Sequence, residues 1–211
     1  MGLYLKNEDN KGCLLGIWEI TEDLDTLIEL SPLVSLRGRE TFNRFKSGRR
    51  KKEWLCTRIL IDELLGYTPK LDYEETGRPY FVYNSINISI SHSGKFVCVL
   101  INKTYKTGVD IERIQPRIQR IAHKFLAEQE AGEMDMNNLQ QMYLVWSAKE
   151  ALYKLYGRKH LSFRENIQIN PVQAISESGM FTGTICLNEK TREYELNYKL
   201  IEDFIMVWVC E

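Results

Sequence analysis

Two rhythms of apolar and polar positions run along this chain, and together they predict a mixture of helices and short strands. The stretch CLLGIWEI, at 13–20, is rich in β-branched and aromatic residues and predicts a strand. After the turn signals of ELSPL, the segment from about Ser35 to Leu65 follows the helical period, as one helix or two. Trp54, Ile61 and Leu65 fall on one row of that helix, Leu55 and Ile59 lie beside them, and Gly66 supplies a C-terminal stop. Gly and Pro then punctuate three shorter runs that predict strands, Ile86–Ile90, Phe96–Ile101 and Thr107–Ile111, joined by tight turns. A polar helical stretch from Arg117 to Glu133 and a soft linker, MDMNNLQQ, lead to the strong helical pattern of QMYLVWSAKEALYKLYG. Met142, Val145, Trp146, Lys149, Leu152 and Tyr153 mark its neighbouring faces, and Gly157 closes it. The tail carries strand-like runs at 163–169, 181–187, 193–200 and 204–210, the last two forming an antiparallel pair around IEDF. A faint internal likeness links KEWL…LLG at 52–66 with KEAL…LYG at 149–157.

Composition narrows the class. With 211 residues, 44% hydrophobic and 27% charged, the chain can bury a sizeable core, as one large domain or two fused halves. A formal net charge of −1 gives no global basic excess for nucleic acid or for a polybasic membrane anchor. The five cysteines, Cys13, Cys56, Cys98, Cys186 and Cys210, are widely spaced and form no CxxC pair. That spacing argues against a zinc site and a disulfide framework, and predicts reduced thiols in a cytoplasmic protein. Neither an apolar leader-like segment at the start nor a long apolar run elsewhere predicts a membrane span.

Four places carry candidate chemistry. In TYKTGVDIERI, Val109 and Ile111 would face a core and leave Asp110 and Glu112 together on the opposite side of the strand. Such a pair can ligate Mg²⁺ with oxygen, but a bare D-x-E is most often a solvated or salt-bridged pair, here beside Arg113. SISHSG, at 89–94, offers Ser89, Ser91, His92 and Ser93 to an anion, or is an ordinary hairpin turn. Glu150 and Lys154 are one helical turn apart, the spacing of a common surface ion pair. SGRRKKEWLCTR, at 47–58, places five basic residues near a helix start, either for phosphates or as a solvated face. Only three histidines are present and no acid–Ser pairing is visible, which disfavours a hydrolytic triad.

The order of these motifs resembles the signature of the 4′-phosphopantetheinyl transferases. TGVDIE at 107–112 and WSAKEALYK at 146–154 look like its two parts, and every signature position is filled: Gly108, Val109, Asp110, Glu112, Trp146, Ser147, Lys149, Glu150, Ala151 and Lys154. TGRPYF and SISHSG resemble two further family motifs upstream. The length is similar to that of the longer, surfactin-synthetase-activator type. That resemblance implies an α+β fold of two similar halves packed as an intramolecular pseudodimer, with residues 1–104 contacting coenzyme A phosphate and adenine and 105–211 carrying the metal site and catalytic helix.

The implied reaction moves the 4′-phosphopantetheine arm of coenzyme A to a serine of an apo acyl or peptidyl carrier protein and releases adenosine 3′,5′-bisphosphate. The resemblance implies Mg²⁺ held by Asp110, Glu112 and Glu150, and Lys154 on the α-phosphate. Glu150 is the first candidate to activate the serine, and Glu130, in FLAEQE, is its competitor. Arg49 and Arg58 are the candidates for the 3′-phosphate, His92 and Ser91 for a phosphate, and Arg78 for flanking the adenine. The expected partners are coenzyme A and the carrier protein, without nucleic acid or membrane, and the expected state is a monomer. The alternative is a coenzyme A- or carrier-binding pseudoenzyme, against which Asp110, Glu150 and Lys154 are all intact. One departure touches the pantetheine channel: GRKHL, at 157–161, stands where many relatives read G-K-G-L. Another is Thr107, where small aliphatic residues are frequent.

Overall fold

The computed structural model describes residues 2–31, 36–158, 161–172, 174–188 and 190–211. Ser35, the expected helix start, and Lys159 and His160 of GRKHL lie outside them.

Two antiparallel sheets form the centre of the molecule. The first joins β1 (Leu3–Glu8), β2 (Leu14–Glu19), β6 (Phe96–Asn102) and β5 (Asn87–Ser93), in that order. The second runs β7 (Thr107–Arg113), β11 (Phe204–Cys210), β10 (Lys190–Ile201), β9 (Ser178–Leu187) and β8 (Ile167–Ile169). A small hairpin, β3 (Leu71–Tyr73) with β4 (Pro79–Phe81), stands apart from both. The helices are α1 (Leu24–Leu30), α2 (Leu36–Arg44), α3 (Gly48–Leu65), α4 (Ile118–Phe125), α5 (Glu128–Glu133) and α6 (Leu139–Tyr156).

Strand alternation sets the layers. In β6, Phe96, Cys98 and Leu100 join Val109, Ile111, Phe204 and Met206 in an apolar core between the sheets. The intervening Val97, Val99 and Ile101 pack instead with Trp54, Leu55 and Leu60 of α3. In β11, Ile205, Val207 and Val209 meet Ala148, Ala151 and Leu152 of α6. A strand buried on both faces reads as a continuous apolar run, which is why β6 is legible as FVCVLI. The layers therefore run helix, sheet, sheet, helix, an α+β arrangement. The helices α3 and α6 are 18 residues each, and each ends on a left-handed glycine, Gly66 (φ 74°) or Gly157 (φ 69°).

Some expectations are corrected. SISHSG is not itself a turn: Ser89, Ser91 and Ser93 lie in β5, and the chain turns at Gly94 (φ 57°). Ile88 and Ile90 pack towards the α3 side, so the intervening serines face the other way, towards β7. The polar helix expected over 117–133 divides into α4 and α5, because the chain is extended at Leu126 and Ala127. The exposed edge strand β1, the short α1 and the β3–β4 hairpin had no clear periodic signal.

The expectation of five reduced thiols is also overturned. Cys13 and Cys210 form a disulfide across 197 residues of chain, while Cys56, Cys98 and Cys186 are free. Sequence spacing gave no signal because the pairing comes from the sheets: the start of β2 meets the end of β11. A disulfide is typically worth roughly 2–4 kcal/mol. We expect the melting temperature of the oxidised protein to fall by roughly 5–15 °C on full reduction, and Cys13→Ser to melt at the lower value with or without reductant. Identical melts for oxidised and reduced wild type would exclude a stabilising role. Among the described residues no helix is long and apolar enough to cross a membrane.

Candidate active site

β7 places its acids by alternation. Val109 and Ile111 are buried in the core between the sheets, and Gly108, Asp110 and Glu112 take the other side. A Cβ on Gly108 would lie 1.9 Å from the Ala151 carbonyl oxygen of α6, so only glycine lets the strand lie this close to the helix. The glycine before Val-Asp and the alanine after Lys-Glu are thus two sides of one contact, which brings Glu150 and Lys154 to the acids of β7.

Lys154 does not pair with Glu150 as a surface helix pair would. Its Nζ donates to Asp110 Oδ1 at 2.8 Å and to the Val109 carbonyl at 2.9 Å. Arg113 likewise turns away from the acids, to Asp203 at 2.6 Å. The serines of β5 complete the arrangement. Ser91 Oγ donates to Asp110 Oδ1 at 2.8 Å, and Ser93 Oγ donates to Glu112 Oε2 at 3.1 Å. Ser89 Oγ accepts from the Val109 amide at 3.0 Å. Ser91, expected to assist a phosphate, is therefore engaged with the carboxylate.

Electrostatics mark the cluster as strained by its own charge. Burial, with Asp110 and Glu112 alongside, pushes the Glu150 carboxyl up to about 7 against the pull of Lys154. Burial and the neighbouring Asp110 also raise Glu112. Asp110 Oδ2 is buried without a hydrogen-bond partner among the described residues, an orphaned anionic oxygen of the kind a cation satisfies. The all-oxygen donor set suits a hard divalent cation. As they stand, however, no three acidic, histidine or cysteine side chains among the described residues converge closely enough to hold a metal ion.

A basic cleft adjoins the acids. The N-terminal turn of α3 presents Ser47, Arg49 and Arg50, which face His92, Ser93, Glu112 and Arg117 across a cavity of about 400 Å³. It continues into a cavity of about 390 Å³ bordered by Phe45, Trp54, Tyr73, Pro79 and His92. A third, of about 280 Å³, is lined by Arg78, Ile90, Glu150, Tyr153, Lys154 and Arg158. Arg78 lies against the end of α6, where a Cβ on Gly157 would come within 2.5 Å of its guanidinium. The opening of the cleft thus joins a basic, partly aromatic groove to the carboxylate–lysine cluster.

The structure separates residues that sequence left together. Arg49 lines the cleft, whereas Arg58 lies over the Trp54 ring, 3.3 Å from its centroid, and donates to the Trp54 carbonyl at 3.1 Å. His92 borders the cavity at the α3 N-terminus, and Arg78 the one beside Glu150 and Lys154. Glu130 is not brought to the cluster. It is 6% exposed, and its oxygens accept from the Ala127 and Ile169 amides, both at 2.9 Å, and from Lys149 Nζ at 2.5 Å. Arg50, Glu53 and Arg117 were not singled out from sequence. A run of four basic residues does not reveal which of them turns towards a strand more than forty positions away.

The site is thus a carboxylate–lysine centre that opens on a basic groove, carried by an α+β fold. Comparison with known proteins narrows the class. Residues 106–207, just under half of the chain, match the model of the 4′-phosphopantetheinyl transferase superfamily. The chain is 32% identical over 117 residues to the 4′-phosphopantetheinyl transferase AcpT of Escherichia coli, covering 52% of this chain and 60% of that one. It is 28% identical over 142 residues to the 4′-phosphopantetheinyl transferase psf-1 of Bacillus pumilus, covering 62% and 60%. With the 4′-phosphopantetheinyl transferase HetI of Nostoc it shares 24% over 160 residues, covering 67% and 68%. The matched segment thus spans about three fifths of the length of AcpT and psf-1.

Proposed function

We propose that this protein transfers the 4′-phosphopantetheine arm of coenzyme A to a serine of an apo acyl or peptidyl carrier protein. The observation that carries the reading is Lys154, delivered by α6 to Oδ1 of Asp110, whose Oδ2 is left without a partner, at the mouth of a basic groove. In this reading Asp110, Glu112 and Glu150 would hold Mg²⁺, which supplies neutralisation of the pyrophosphate charge. The serine oxygen attacks the phosphorus next to pantetheine, and the bond to the second phosphate breaks. Adenosine 3′,5′-bisphosphate leaves with the bonding electron pair. Lys154 neutralises the leaving phosphate, and Glu150, whose carboxyl lies near neutrality, accepts the serine proton. Arg49 and His92, with Arg50, face the 3′-phosphate, and Arg78 flanks the adenine.

We read residues 1–104 and 105–211 as the two halves of a pseudodimer of the surfactin-synthetase-activator type. The equal lengths and matching glycine caps of α3 and α6 support this. We take the protein to act as a cytoplasmic monomer.

The test is the intact mass of a panel of apo carrier proteins after incubation with this protein, coenzyme A and Mg²⁺, with and without EDTA. A gain of one phosphopantetheine on a carrier serine, abolished by EDTA, is the expected result. Absence of both carrier modification and coenzyme A binding would reject the reading.

A further inference from the structure

We propose that Glu53 is a positioning residue that holds Arg49, Arg50 and His92 as a preformed cradle for the 3′-phosphate of coenzyme A, an inference that rests on the function proposed above. A carboxylate inside an anion site is unexpected, because its charge opposes the ligand. Glu53 is nevertheless buried, its side chain 6% exposed, while those of Arg49 and Arg50 are 63% and 53% exposed. Arg49 Nε donates to Glu53 Oε1 at 2.9 Å, and Arg50 Nη1 donates to Glu53 Oε2 at 3.2 Å.

The same Arg50 nitrogen lies 2.7 Å from His92 Nε2. A guanidinium has no acceptor, so Nε2 accepts and the ring proton sits on Nδ1. That nitrogen faces Glu53 Oε2 at 3.6 Å. One buried acid therefore contacts all three groups, and all three border the cavities at the α3 N-terminus. Each guanidinium offers five donor hydrogens, and those not engaged by Glu53 or His92 remain for a ligand. Two arginines against one carboxylate still leave a net positive charge. Holding two long side chains in place before binding removes an ordering cost from binding itself.

Orientation and bare charge predict opposite signs. If Glu53 acts only through its charge, Glu53→Gln removes a repulsion and tightens anion binding. If it positions the arginines, the same change weakens binding, and only for a ligand bearing the 3′-phosphate. The experiment measures dissociation constants of coenzyme A and of 3′-dephospho-coenzyme A for wild type, Glu53→Gln and Arg50→Lys, without Mg²⁺ or carrier.

We expect each variant to lose about tenfold in affinity for coenzyme A, the scale of one charge-assisted hydrogen bond. Affinity for the dephospho form should be unchanged, which also verifies the fold of the variant. In turnover with a carrier, KM for coenzyme A should rise by the same factor at constant kcat. Unchanged or tighter coenzyme A binding by Glu53→Gln, or an equal loss for both ligands, overturns the assignment and leaves the transferase reading intact. Failure of wild type to bind coenzyme A overturns both.

Discussion

Glu150→Gln is expected to abolish phosphopantetheine transfer while making the metal-free protein more stable above neutral pH. Both effects follow from one carboxyl placed by α6 beside Asp110 and Glu112. Burial and these two neighbours raise its pKa from 4.5 to about 7. A carboxyl whose folded pKa is raised favours the fold in its protonated form. Its contribution is fully present below the ordinary carboxylate range, declines as pH rises, and is lost through about 7. Above that the folded protein carries a penalty of about 1–3 kcal/mol at 1.36 kcal/mol per pKa unit, the lower figures allowing for solvent around a half-buried group.

Glutamine keeps the volume without the charge. The stability difference between variant and wild type should be near zero at about pH 4 and grow to its full value by about pH 8. Urea unfolding at a series of pH values, with EDTA present, measures it. Transfer should fall below detection, because a glutamine neither accepts the serine proton nor contributes charge to a cation site. Parallel stability curves would remove the electrostatic account, and near-normal turnover would remove Glu150 from the mechanism.

The second large effect is expected at Lys149, and it concerns the fold. Its side chain is fully buried, and the three hydrogens of Nζ are shared among four acceptors at 2.5–2.9 Å, Glu130 Oε2 and the carbonyls of Phe125, Phe163 and Ile167. One ammonium therefore ties α6 to the end of α4, to α5 and to the segment entering β8. Lys149→Met removes the cation and leaves the Glu130 carboxylate buried with only two amides. Breaking such a pair from one side costs about 3–5 kcal/mol, a large part of the 5–15 kcal/mol that holds a typical domain.

We expect Lys149→Met to shift the urea midpoint strongly downwards. Lys149→Met combined with Glu130→Gln should recover part of that loss, because no unpaired charge remains. The same series decides the role of Glu130. In the proposed structural role, folded Glu130→Gln assayed at low temperature keeps kcat within a few-fold of wild type. A loss of a thousandfold in a demonstrably folded variant would return Glu130 to the chemistry.

Much of this site was legible because its residues sit in regular elements. The alternation in TGVDIE placed Asp110 and Glu112 opposite the core, and helical spacing put Glu150 and Lys154 on one face. The residues between them depend on contacts that the sequence separates. Lys154 meets Asp110 across 44 positions, and Ser91 meets it across 19. No local pattern reports that a lysine four positions from a glutamate will choose a strand instead. Glu130 was misleading for a related reason: a conspicuous acid in a familiar motif looks the same whether it faces solvent, substrate or a buried ammonium. The disulfide was hidden because each cysteine is isolated in sequence and only the stacking of the sheets unites them.

The seam between the sheets has a mechanical meaning. Along β5 and β7 the two sheets share no backbone ladder; the hydroxyls of Ser89, Ser91 and Ser93 bridge them beside the apolar core. At one end of that seam, beside Asn102, the Cys13–Cys210 bond acts as a rivet, with Asn102 Nδ2 donating to Cys13 Sγ at 3.2 Å. At the other end lie His92, Ser93 and Glu112, around the cleft. Between these ends the sheets are held by the apolar core described above, with Phe96 edge-on to Phe204 near the cleft. The two sheets are thus pinned by a covalent bond at the end away from the cleft, and at the cleft end by hydrogen bonds, ion pairs and a ring contact alone.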